Sequence, residues 1–126
     1  MHYDPMMGPD PEEWATLSEL EQLDAVLAFH RQASIKLPHA TLHATFHSVV
    51  ENQILLGAET PVAVTLHRLI EEGLDRHEAV HAIGMVLASH IHDLLHGAEP
   101  ADGDPNRPYY EALRQFTAAQ WREEAG

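Results

Sequence analysis

The chain contains no cysteine. That removes disulfides and thiolate ligands together, so any site must be assembled from histidine, carboxylates and water. Basic residues are scarce, with 7 Lys and Arg against 20 Asp and Glu for a formal net charge of −13. A surface of that sign repels nucleic-acid phosphates and anionic membranes, and it favours cationic partners, metal ions among them. No apolar run approaches the roughly 20 residues of a membrane span, and Met1 to Pro9 shows neither the basic n-region nor the apolar h-region of an export signal. The expectation is a soluble, cytoplasmic protein, the missing cysteines leaving the redox compartment open while suiting a cytosol. Strand-like alternation, repeats of solenoid length and low-complexity tracts are also missing.

What is present reads as helix. The 126 residues are 44% hydrophobic, and the eight prolines fall mostly between periodic segments, which suits one domain with a core of its own. Asp10-Pro11-Glu12-Glu13 has the form of a helix start, an N-cap followed by proline and acids in the first turn. Ser18 and Glu21 make a capping box for a main first helix whose inner face is Leu20, Leu23, Val26, Leu27 and His30. That helix should stop before Pro38. A second helix after Pro38 carries the stripe Leu42, His43, Phe46, His47, Val50 and Ile54 and stops at Gly57. Thr60-Pro61 opens a short third helix with Val62, Leu66, Leu69 and Ile70, closed by Gly73. Asp75 caps a fourth, whose inner face reads His77, Val80, His81, Gly84, Leu87, Ile91, Leu94 and Leu95 before Gly97. Residues 99–108, rich in Pro, Asp and Gly, are expected as an exposed loop. A last helix from about Pro108 to Glu124 should bury Tyr109, Leu113, Phe116 and Trp121. The fold class is all-α, an antiparallel bundle of about four to five helices, with residues 1–9 as an N-terminal tail.

Eleven histidines are the compositional outlier, and their spacing carries the chemistry. His77-Glu78-Ala79-Val80-His81 is an H-E-x-x-H pattern, and His43 and His47 repeat the four-residue step upstream. Residues four apart share one helix face, so each pair can aim two imidazoles at a common point. All four interrupt the apolar stripes rather than decorate solvated faces. A buried ring nitrogen without a partner costs on the order of 1–3 kcal/mol, and a divalent transition metal relieves several at once. Zinc takes four such ligands at about 2.0–2.1 Å, or three with an open position for water. Nickel, copper and iron suit the same donors. The candidate ligands are therefore His43, His47, His77 and His81, and Glu78 is the candidate catalytic base if the shell is open. Glu78 has a second explanation, because a carboxylate in the first turn of its helix also suits the capping box and the macrodipole.

The other candidates have plainer readings. Glu51, four residues after His47, could add a ligand, but a solvated glutamate on a helix flank is the default. His30 is expected as a core histidine bonded to a backbone carbonyl, supporting the ligands from behind at most. His39 belongs at a rim. His92 and His96 share the spacing but sit near a helix C-terminus, which suits exposed cationic histidine. His67 is expected to be solvated beside Glu71, and His90 and His2 carry no spacing argument. Met6, Met7 and Met85 are packing or tail residues rather than thioether ligands.

The segment His43-Ala44-Thr45-Phe46-His47 with Asn52-Gln53, then Asp75-Arg76-His77 with His81, resembles an uncharacterised family of small bacterial proteins filed as a domain of unknown function. Its pattern is His-x-x-x-His ahead of Glu-Gln, and later Asp-x-His-x-x-Glu-His. The likeness covers roughly residues 38–96 and implies His43, His47, His77 and His81 as a set. Asn52 stands where that family has Glu, and Val80 stands where it has its second Glu, so the resemblance implies nothing for Glu78 and no activity. Zincin peptidases share H-E-x-x-H but pair it with a sheet. Hemerythrin-like bundles share the steps His47 to Glu51 and His77 to His81, but their closing His-x-x-x-x-Asp is missing. The expected function is a small metal-binding helical protein, zinc first, in a structural, sensing or metal-handling role. The alternatives are a small metal-dependent hydrolase and a metal-free interaction module, with self-association open in each case.

Overall fold

Local capping chemistry sets most helix boundaries in the computed structural model, which describes residues 2–32, 40–97 and 103–125. The Asp10 carboxylate accepts from the amides of Glu12 and Glu13 and opens α1, Pro11–Thr16. Ser18 and Glu21 exchange side-chain to backbone bonds at 3.0 and 3.1 Å and open α2, Glu19–Gln32. Helix α3 spans Ala40–Leu55 and gives way to a 3-10 turn, Gly57–Glu59. Helix α4, Val62–Glu71, ends before Gly73, whose φ of 110° is open to glycine without strain. Asp75 caps α5, Arg76–Leu95, through the Glu78 amide at 2.7 Å.

The expected last helix is two. Helices α6, Arg107–Gln115, and α7, Ala118–Ala125, meet at an extended Phe116. Thr117 and Gln120 form a reciprocal box at that point, with bonds of 3.1 and 2.9 Å, the same device as Ser18 and Glu21. Arg68 of α4 fixes the break by donating to the carbonyls of Leu113 and Phe116. Among the described residues seven α-helices therefore replace the expected four to five, and no strand occurs. Residues 99–102 of the loop expected over 99–108 lie outside the described residues, and α6 begins at Arg107, inside its expected end.

Helices α3 and α5 form the centre. Helix α3 packs on α2, α4 and α5, and α5 on α3, α4 and α6. The larger apolar core gathers Val50, Leu66, Leu69, Ile83, Leu87, Tyr109 and Leu113 from α3 to α6. A smaller one joins Tyr3, Trp14, Val26 and Ala44. Among the described residues no helix is long and apolar enough to cross a membrane.

Several expected faces are rotated. Leu20, Leu42 and Leu95 are exposed, while Ala79, Ala82, Ile83 and His90 are buried instead. A helix in contact with three neighbours buries a wider arc than a single stripe, so α5 turns residues inward that spacing alone places on its flank. His90 stacks on Tyr109 with ring centroids 5.6 Å apart.

Residues 2–9 are not a tail. Tyr3 and Pro5 are fully buried, and Arg76 donates to the Pro5 carbonyl at 2.8 Å. Gly8 permits this approach: at its φ of 78° a Cβ would lie 2.8 Å from the Arg76 guanidinium. A small aromatic cluster with no periodicity of its own is folded into the bundle through that segment.

Candidate metal centre

The four-residue steps on α3 and α5 do what their spacing requires. His43 faces His81 with ring centroids 4.5 Å apart, and His47 faces His77 at 5.3 Å. This is the pairing produced when two helices cross the site in opposite senses. His47 also reaches His81 at 5.0 Å, and His77 reaches His81 at 4.3 Å. The structure thus brings His43, His47, His77 and His81 together.

It also adds His30 from α2. Its ring lies 4.8 Å from His43, 5.4 Å from His47, 6.0 Å from His77 and 6.4 Å from His81. One ligand atom from each of His30, His47, His77 and His81 falls within 4.8 Å of all the others, so this quartet could hold a metal ion. His43 is a fifth imidazole against three of the four. Helix α2 is held in place by the paired amides of Gln22 and Asn52, with Asn52 also accepting from the Trp14 indole. His30 follows Gln22 by about two turns along the same helix.

Hydrogen bonds fix two of the five rings as bare donors. His30 Nδ1 lies 2.8 Å from the Val26 carbonyl, which can only accept, so the proton is on Nδ1 and Nε2 carries a lone pair. The Tyr3 hydroxyl donates its proton to Glu51 Oε2 at 2.6 Å. His47 Nδ1, 2.8 Å from the Tyr3 hydroxyl oxygen, must then donate to that oxygen, and Nε2 is again bare. The carbonyl bond expected for His30 is present, but it orients the ring toward the centre instead of removing it from the centre.

The Nε2 atoms of His30, His43, His47, His77 and His81 are all buried without a hydrogen-bond partner among the described residues. Five such groups at about 1–3 kcal/mol each would offset much of an ordinary domain stability of about 5–15 kcal/mol. One water makes at most four hydrogen bonds and could not serve five such nitrogens. A divalent ion takes four or five lone pairs at one point.

Burial also favours the neutral form of His43, His47, His77 and His81, the form that binds metal. It pushes His43 down to about 4 and His81 down to about 3, with neighbouring imidazoles adding to the shift in both. His47 is driven lower still, and His77 is lowered by burial and His30, with Asp75, Asp4 and Glu51 opposing.

Behind His47 stands a charged pair that spacing alone assigned to solvent. Glu51 is buried, 1% exposed, and bound by Arg76 through both carboxylate oxygens at 2.8 and 2.9 Å. The expected solvated glutamate is therefore a link in a chain from Arg76 through Glu51 and Tyr3 to His47. Burial, reinforced by Glu51, raises Tyr3 well above an ordinary phenol, so the hydroxyl keeps the proton that the chain needs. Such supporting bonds set ligand tautomer and orientation. Nothing in the helical periodicity could reveal Tyr3, and the signal for Glu51 was only its four-residue step from His47.

Glu78 is exposed, and its carboxyl is pushed upward by partial burial and by Asp75, with Arg122 opposing. His67, His92 and His96 are exposed, as expected, and so is His2. His39 lies outside the described residues. No family model matches the chain, and neither curated proteins nor solved structures yielded a similar one.

Proposed function

We propose that this protein binds one transition-metal ion, zinc foremost, in an all-imidazole shell and serves a structural, sensing or metal-handling role. The observation that carries this reading is the quartet of His30, His47, His77 and His81, whose ligand atoms lie within 4.8 Å of one another and whose buried Nε2 atoms have no hydrogen-bond partner among the described residues. The donor set is neutral, so the bound ion keeps its full charge inside a protein of net charge −13. That favours a divalent cation over a neutral occupant. Nitrogen donors without thiolate or carboxylate suit zinc, and the same shell accepts copper, nickel or iron. With four or five protein ligands the shell is closed or nearly so, which favours holding an ion over hydrolysing a substrate.

The test is elemental analysis of protein purified without a metal-affinity column. One ion per chain is expected, falling below a tenth in His47→Ala with His81→Ala. A stoichiometry unchanged in the double variant rejects the site. Glu78→Gln should keep the full metal content, because its carboxyl is exposed at the helix start.

A further inference from the structure

The five rings are not equivalent. His30, His47 and His81 form a triangle that both remaining histidines touch, His77 in the quartet with close ligand atoms and His43 outside it. His77 and His43 thus each lie against the same three imidazoles, His77 with its ligand atom among theirs and His43 by ring contact. The two capping positions differ in their surroundings. His77 is backed by Phe29, with ring centroids 5.5 Å apart. His43 lines a cavity of about 120 Å³ together with His47 and His81 and with the apolar side chains of Phe46, Met85 and Trp121.

We propose that this cavity admits a small monodentate lone-pair donor to the metal at the position on the His43 side of the triangle. This inference rests on the metal reading. The ligand's donor atom forms a bond to the ion as the bond to His43 Nε2 is broken or left unmade, and no proton or electron need move. The volume sets the size: an apolar cavity of about 150 Å³ holds benzene, and a water occupies about 30 Å³. A five-membered azole or a triatomic anion fits, and a peptide or sugar does not. The apolar part of the lining suits a compact body without further polar groups, and His47 and His81 of the lining belong to the quartet that could hold the metal. Gly84 keeps the space open. A Cβ there would meet only the Phe46 Cβ at 3.9 Å, an ordinary contact, so a longer side chain would extend into the cavity without backbone strain.

The experiment uses the full chain loaded with Co(II), whose visible bands report coordination. Imidazole and azide are titrated as separate probes, and cobalt per chain is measured in the same samples. Saturable band shifts are expected in the wild type. His43→Ala should retain cobalt and bind imidazole at least tenfold more tightly, since the competing ring is gone. Gly84→Leu, and Ala88→Leu as a second filling variant, should keep cobalt and lose the response at least tenfold. The relative affinities of the two probes separate a neutral azole site from an anion site. Full cobalt occupancy with bands that neither probe moves, in wild type and His43→Ala alike, overturns the cavity proposal and leaves the metal reading standing. A filling variant that folds, holds cobalt and responds like the wild type overturns it as well. Chains that bind no cobalt reject the metal reading itself.

Discussion

Helix α5 passes through two unlike interiors. Ile83 and Leu87 pack into the apolar core with Val50, Leu69 and Leu113. His77 and His81, one to two turns earlier on the same helix, project into a cluster whose inner nitrogens have no partner among the described residues. The first region is complete as a packing problem, because apolar burial needs only shape and area. The second is complete only when something supplies positive charge or protons to its lone pairs. One helix therefore carries a self-sufficient half and a half whose stability depends on solution conditions.

The largest expected effect is metal removal. With free ion held about 1,000-fold above the dissociation constant, linkage makes the loaded protein about 4 kcal/mol more stable than the stripped one. Urea unfolding with and without chelator measures it, and coincident midpoints would erase the distinction between the two regions. Leu69→Ala, in the apolar half, should cost about 2–5 kcal/mol equally in loaded and stripped protein. A loss seen in only one of the two states would show that the halves are coupled.

Tyr3→Phe sharpens the comparison from the other side. It keeps the buried ring but removes the hydroxyl between His47 and Glu51, and metal affinity should fall about 10–100-fold. Competition against a chromophoric chelator would read this, and unchanged affinity would reduce the Arg76–Glu51–Tyr3 chain to a structural prop.

Acid should act on the stripped protein in one direction. The folded pKa values of His43 and His81 lie near 4 and 3, below the ordinary 6.5 of the unfolded chain. Between these limits the unfolded state binds more protons, so stability is full above about pH 6.5 and falls as pH drops toward 4 and then 3. Denaturation midpoints at pH 7.5, 6 and 5 should decline in that order, and a flat profile would contradict the depressed values. The smallest effect belongs to Thr117→Ala. Losing the α7 cap should cost about 1 kcal/mol in thermal or urea unfolding and leave metal affinity unchanged.

Much of this protein follows from residue order alone. Helix starts at Asp10, Ser18 and Asp75 and stops at Gly57, Gly73 and Gly97 are local events, settled within four residues by capping bonds or by positive φ. The pairing of His43 with His47 and of His77 with His81 on common faces follows from 3.6 residues per turn. The Thr117–Gln120 box was equally local and could have been found in the sequence, where the apolar run across Phe116 hid it. Tertiary packing alone decided the rest: that His30 turns its second nitrogen inward, that Glu51 is buried against Arg76, and that Tyr3 closes the chain to His47. Those contacts join residues 25 to 48 positions apart or depend on which of two faces a neighbouring helix covers. Periodicity specifies a direction about a helix axis, whereas coordination needs convergence in space, which only the packing of α2, α3 and α5 provides.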